Sequence, residues 1–282
     1  LSDRYIPGIK KIEEEGFKVI YIDENNVKSD ISKIKCDCII TDSYEIDEEY
    51  FNFLKTHFKI SGCFDDENIC RYFNVDFLIN QNIYGPNLDY QVNKNTKLLL
   101  GSSYVILRDE FREISNRIIN KDINKIMVTV GGSDNNNLTE EIIKKISKSK
   151  SFTIEVIVGP GFKFKDKLQK YENQNIRLNF NANMAKIMKE CDLAISSCGS
   201  TLYELASCGT PTIGIVVSDD QFLAAETMEK KGIIKYSNID SIYDDILSLD
   251  YKKRYKMSHR AKNIVDNMGF KRITKVLEEE WG

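Results

Sequence analysis

Five short segments rich in Val, Ile and Leu, at 125–130, 152–158, 176–180, 193–196 and 212–217, alternate with helical stretches near 138–149, 163–171, 184–190, 199–207 and 219–230. No other feature of the chain narrows its fold as much. Strand and helix in strict succession require parallel strands joined by crossover helices, hence a sheet covered on both faces. The first half carries the same pattern less regularly. Ile6, Ile9 and Ile12 share one helical face that stops at Gly16, and strand-like sequence follows at 17–22 and 36–42. Tyr50, Phe51, Phe53 and Leu54 have helical spacing, further strands are expected at 57–64 and 77–79, and a helix at 109–120. At 282 residues the chain exceeds the roughly 150 of one typical domain. The expectation is therefore α/β architecture, with two doubly wound, Rossmann-like domains facing a cleft. They span 1–120 and 121–282, with the polar Asn120-Lys-Asp-Ile-Asn124 as linker and the charged, helical last stretch packing back across the domains.

Composition excludes several classes. Hydrophobic residues make up 41% of the chain and the formal net charge is −3, with both signs interspersed. Such a chain has ample core and no basic face for nucleic acid. The longest apolar run falls far short of the roughly 20 residues that cross a bilayer, so neither a membrane span nor a leader is expected, and the expected location is cytoplasmic. The seven cysteines are scattered without a Cys-x-x-Cys pair and read as reduced, buried thiols. With His57 and His259 the only histidines, no metal site and no cofactor are expected.

In open parallel sheets ligands bind outside the carboxyl ends of the strands. In the second half those ends carry Gly131-Gly-Ser-Asp134, Gly159-Pro-Gly161, Asn181-Ala-Asn183, Ser196-Ser-Cys-Gly-Ser-Thr201 and Ser218-Asp-Asp-Gln221. A Gly-Gly-Ser-Asp sequence after a strand makes a tight turn, or it lets backbone approach an anion. Ser196 to Thr201 places small residues and hydroxyls at a helix start, which suits a diphosphate and also suits an ordinary helix cap. Glu204, one turn inside that helix, would face the same place and could accept from a ribose diol. Two phosphate-friendly loops in one domain favour a nucleotide-diphosphate site, with Gly131, Gly132, Ser133, Asp134, Ser197, Gly199, Ser200, Thr201, Glu204, Asp220 and Gln221 as candidates.

These residues also carry a resemblance. Gly131-Gly-Ser-Asp, Asn137-Leu-Thr139, Ser196-Ser-x-Gly-Ser-x-x-x-Glu204, Gly209-x-Pro211 and Asp220-Gln221 resemble the nucleotide-binding half of GT-B-type proteins. The whole set is similar to the nucleotide-sugar hydrolases of pseudaminic acid biosynthesis and the related spore-coat polysaccharide proteins. In the first half, Thr41-Asp-Ser-Tyr44, Cys63-Phe-Asp-Asp66 and Gly101-x-x-Tyr104-x-x-Leu-Arg108-x-x-Phe111 look like the same pattern. The resemblance covers nearly the whole chain, with its motifs in family order. It implies a UDP-sugar substrate, with uracil and ribose near Glu204, and the diphosphate between the Gly131 and Ser200 loops. It further implies sugar-side catalytic groups Asp42, Tyr44 and Asp66, and hydrolysis to UDP and a free 2,4-diacetamido-trideoxy sugar without a metal.

Each first-half residue also has an ordinary reading: Asp42 as a cap, Tyr44 as a packed aromatic, Asp65-Asp66 as a turn, Arg108 as an ion-pair partner. One departure stands out. The relatives open with a strand and a Gly-x-Gly-His loop whose histidine is the expected base or orienting group. Here Leu1-Ser-Asp-Arg4 looks like the residues just after such a loop, so a missing N-terminal strand and loop are expected. A GT-B glycosyltransferase using the same donor, or a nucleotide-sugar-binding protein without turnover, are the competing functions; release of UDP without an acceptor separates them.

Overall fold

The computed structural model describes residues 6–111, 117–148 and 151–281. In chain order these form α1 (Ile6–Glu14), α2 (Val27–Ser32), β1 (Cys38–Asp42), α3 (Glu48–His57), β2 (Ile60–Phe64), β3 (Phe77–Asn80), β4 (Lys97–Leu100), β5 (Lys125–Thr129), α4 (Leu138–Ile146), β6 (Thr153–Val158), α5 (Lys165–Gln169) and β7 (Ile176–Phe180). They continue with α6 (Met184–Glu190), β8 (Leu193–Ser197), α7 (Thr201–Ser207), β9 (Thr212–Ile215), α8 (Phe222–Lys230), β10 (Ile234–Ser237), α9 (Ile242–Ser248), α10 (Tyr251–Ile264) and α11 (Gly269–Trp281). Two sheets result, a four-stranded one in the order β1-β2-β3-β4 and a six-stranded one in the order β10-β9-β8-β5-β6-β7.

The second sheet follows directly from its sequence. Every paired strand in it is parallel. Successive side chains of a strand point to opposite faces, and here both faces are covered. Ile126 and Val128 enter one core with Ile142, Ile143 and Ile246, whereas Met127 enters the other with Met188, Leu202 and Leu205. That is why these strands read as near-continuous apolar runs rather than as alternating ones.

The first sheet departs from expectation at 17–22. The stretch has strand-like residues but forms no strand, carrying a single bridge at Tyr21. Phe17 and Tyr21 are 69% and 61% exposed. β-propensity reports fit to a pleated, half-buried surface, and a single bridge does not make a ladder. On α1, Ile9 is buried while Ile6 and Ile12 are exposed. Within β2, Gly62 is required by packing, since a Cβ there would lie 2.1 Å from the Phe77 ring.

The chain divides into two compact units, one made of 1–79 and 89–98, the other of 80–88 and 99–280. The expected division at residue 120 assigns 80–88 and 99–120 to the first domain; in the structure 80–88, 99–111 and 117–120 lie in the second unit. Local pattern marks elements, whereas long-range contacts decide where they pack. Ile83, Val105 and Phe111 are buried in the core that holds Met127 and Leu202. The expected linker is tied down as well, with Asn120 Nδ2 and the Asn124 N–H both donating to Asp192. Of the helix expected at 109–120, Asp109–Phe111 is a 3-10 turn, 112–116 lies outside the described residues, and 117–120 is not helical. Helix α11 belongs to the second unit, and at its start Gly269 lies so close to Val105 that a Cβ would come within 2.1 Å of the Val105 carbonyl oxygen.

Candidate functional site

The strand order sets the place. From β5 the chain moves outward to β6 and β7, then returns to β8 on the other side of β5 and moves outward to β9 and β10. Progression reverses between β5 and β8, which pair from Ile126↔Leu193 to Thr129↔Ser196. Loops leaving such neighbours diverge and leave a crevice at the carboxyl edge. The residues there are Gly131 to Asp134 and Ser197 to Thr201, so the topology brings together the two loops singled out in the sequence.

Gly131 has φ +104°, a conformation that side chains resist. A Cβ on it would lie 3.8 Å from Ser197 Oγ, so the two loops are neighbours. A Cβ on Gly132 would meet nothing within 4 Å, so its backbone faces open space. The Gly132 carbonyl accepts the Gly161 N–H at 2.9 Å, and a Cβ on Gly159 would come within 2.4 Å of the same oxygen. Gly159 is therefore glycine because another loop's backbone passes it. Ser133 is exposed. Asp134 is buried and accepts the Leu138 N–H at 2.8 Å and the Thr139 N–H at 2.9 Å, capping α4 and holding the turn's shape.

The second loop is clasped by Gln221. Its Oε1 accepts the Cys198 N–H at 3.0 Å and the Val217 N–H at 3.2 Å. With the carbonyl end engaged, the Nε2 end lies against Gly199, where a Cβ would sit 3.7 Å from it. Ser197 is buried, and Gly199 and Thr201 are half-buried. Ser200 is exposed and makes no capping bond to α7 with its side chain. The ordinary cap role is thus unfilled. Asp220 is exposed on the 3-10 turn Asp219–Gln221. Cys198 is inert, because burial pushes its thiol up to about 12.

Glu204 lies on the first turn of α7 with its side chain 16% exposed. Burial raises its carboxyl above the usual range, Arg108 opposes that, and the charge of Glu110 adds to it. Arg108 Nε donates to Glu204 Oε1 at 3.0 Å, and NH1 pairs with Glu110 Oε1 at 2.7 Å. Arg108 is thus an ion-pair partner, as its ordinary reading has it, with carboxylates of its own unit. Sequence reasoning missed Glu110 and Tyr203. The Tyr203 hydroxyl accepts the Ile83 N–H at 2.8 Å and donates to Asn82 at 3.2 Å. The polar hydroxyl of Tyr203, set between Leu202 and Leu205 in α7, was the available signal.

In the first unit, β1 and β2 run parallel with Asp42 opposite Phe64, so the segments leaving them emerge side by side. Tyr44 accordingly reaches Asp66, donating its hydroxyl to Oδ2 at 3.2 Å. Desolvation raises the carboxyl of Asp42, and the charge of Asp66 raises it further. Asp42, Ser43, Thr41 and Tyr50 line a cavity of about 690 Å³ at the end of β1. Asp65 is occupied elsewhere, accepting the N–H groups of Asn68 and Ile69 and the Tyr90 hydroxyl. The turn reading holds for Asp65, and Asp66 is the carboxylate beside Tyr44. Among the described residues no group of three or more His, Cys, Asp or Glu is placed to hold a metal, and no helix is long and apolar enough to cross a membrane.

Residues 125–276 match the model of the glycosyltransferase family 28 C-terminal domain. An uncharacterized protein of Methanocaldococcus jannaschii is 35% identical over 221 residues, 73% of this chain and 46% of that one. The pseudaminic acid cytidylyltransferase and UDP-2,4-diacetamido-2,4,6-trideoxy-beta-L-altropyranose hydrolase of Helicobacter pylori is 28% identical over 231 residues, 81% of this chain and 43% of that one. The chain thus spans less than half the length of these two relatives. The crystal structure of Acinetobacter baumannii MurG superposes with TM-score 0.61 at 13% identity, over 89% of this chain and 76% of that one, a likeness of fold alone. The two parallel-sheet α/β units are of the GT-B type, as expected from the sequence.

Proposed function

The chain belongs to the family defined by the glycosyltransferase family 28 C-terminal domain, and from that premise we propose that it binds a UDP-sugar at the β5–β8 crevice and hydrolyses it to UDP and a free 2,4-diacetamido-trideoxy sugar. The observation that carries the reading is the open backbone at Gly132, with Gly131 against the Ser197 to Thr201 turn, at the point where strand order reverses. Diphosphate oxygens there meet backbone N–H groups of Gly132, Ser133, Gly199 and Ser200, and the hydroxyls of Ser200 and Thr201. Such donors stabilise charge that grows on a departing diphosphate. Asp134 acts by holding the turn, Gln221 presents its amide N–H groups, Asp220 lies on the same rim, and Glu204 accepts from the ribose diol.

The sugar-side chemistry is assigned to the first unit. Water forms a bond to the anomeric carbon, the C–O bond to the diphosphate breaks, and the electron pair leaves on UDP. The water's proton passes to Asp42, whose raised carboxyl is a better proton acceptor than an ordinary aspartate. Tyr44 and Asp66, joined by their hydrogen bond, orient the sugar. The family model itself favours a second reading, transfer of the sugar from UDP to an acceptor.

Calorimetric titration of UDP against CMP and dTDP tests the site, and UDP release from a UDP-2,4-diacetamido-trideoxy sugar tests the chemistry. Selective UDP binding with release in the absence of acceptor, lost in Asp42→Asn, is the expected result. Release only when an acceptor is added favours the transferase. Failure of UDP to bind removes both readings.

A further inference from the structure

We propose, resting on the UDP-sugar reading, that Arg108 is a positioning residue for nucleotide recognition, one that fixes the Glu204 carboxylate so that its second oxygen receives the ribose diol. The arginine is held on several sides. Its NH2 lies 3.0 Å from Glu204 Oε1, the same oxygen that accepts from Nε, so the guanidinium edge closes on one carboxylate oxygen. NH1 lies 2.7 Å from Glu110 Oε1, and Glu110 Oε2 accepts the Ala185 N–H at 3.3 Å at the start of α6. The guanidinium carbon lies 5.2 Å from the centre of the Phe111 ring, a fully buried side chain whose carbonyl is held by Asn267 Nδ2 at 2.8 Å. A planar fork set against a ring and a second carboxylate has little freedom to turn.

The consequence falls on Glu204. Oε1 is engaged by Arg108, whereas Oε2 has no hydrogen-bond partner among the described residues. A side chain only 16% exposed with one oxygen tethered presents the other in a single direction. The carboxylate stands one turn beyond Ser200 on α7, and the UDP-sugar reading assigns the ribose to it. Without the arginine, burial and the neighbouring Glu110 both disfavour the charged, accepting form. Arg108 thus acts on the ribose through Glu204 and not on the phosphates.

The test compares UDP with 2′,3′-dideoxy-UDP by calorimetry, using the wild type, Arg108→Gln, Arg108→Lys and Glu204→Gln. We expect Arg108→Gln to weaken UDP roughly tenfold, the size of one charge-assisted hydrogen bond, and to leave dideoxy-UDP within about twofold. Glu204→Gln should show the same discrimination, the double variant should weaken UDP no more than either single one, and Arg108→Lys should recover part of the affinity. Equal weakening of both ligands by Arg108→Gln, or no weakening of either, overturns the proposal. If the wild type binds no UDP, the nucleotide reading fails and this inference falls with it; binding by the wild type with an indifferent Arg108→Gln sinks the inference alone.

Discussion

The hydroxyl oxygen of Tyr203 accepts the backbone N–H of Ile83 at 2.8 Å, joining residues 120 positions apart. Both are buried, at 4% and 6% exposure. The bond ties the 80–88 excursion to the helix that follows the Ser196 to Ser200 loop. Tyr203→Phe keeps the ring and removes the acceptor, which leaves a buried N–H unpaired. Chemical denaturation should show a loss of about 1–3 kcal/mol with an unchanged dependence on denaturant. An unaltered midpoint would mean that another acceptor serves Ile83.

Two neighbouring glycines should respond oppositely. In Gly159→Ala the new methyl meets the Gly132 carbonyl, which is backbone and cannot rotate away, so the protein should lose about 1–3 kcal/mol of stability. Gly132→Ala adds a methyl to open space and should change stability by less than about 0.5 kcal/mol. If that space is where a diphosphate lies, Gly132→Ala should nevertheless weaken UDP severalfold. Thermal midpoints and calorimetric affinities of the two variants, measured side by side, decide the matter; unimpaired UDP binding by Gly132→Ala excludes the diphosphate from that space.

Acid sensitivity should concentrate at Glu140. This buried carboxylate is held well below the usual range, first by Lys170 at 2.9 Å, then by Asn137 and by the Tyr171 hydroxyl at 2.8 Å. Because its folded value lies below the unfolded one, it adds stability above the unfolded pKa of about 4.3, and that stability is lost as the pH falls toward the folded value. Glu140→Gln should therefore be less stable than the wild type near neutrality, with the two curves converging below about pH 4. A constant gap from pH 7 to pH 3 would count against this assignment.

Much of the fold was legible because it is local. Apolar runs at 125–130, 152–158 and 193–196, each followed by Gly or Ser, already mark β5, β6 and all but the last residue of β8. The stretch 17–22 misled because its residues suit a strand while they make only a single bridge, at Tyr21. The first-half boundary misled because a few apolar residues set among polar ones, Ile83, Val105 and Phe111, are buried in a core whose other members lie far along the chain.

For the site, the sequence by itself determined which residues stand at the carboxyl ends of strands, since period and turn chemistry are properties of neighbours in the chain. It marked Gly131, Gly132, Ser200 and Glu204 on those grounds, and Asp42 and Asp66 with the help of a resemblance. Only the tertiary structure decided what each one faces. Asp134 turns to cap α4, Asp65 turns inward while Asp66 meets Tyr44, and Glu204 pairs with an arginine 96 positions away. The reason is physical. A carboxylate takes its direction from the donors that solvate it, and in a parallel sheet those donors arrive from distant loops that only the strand order brings together.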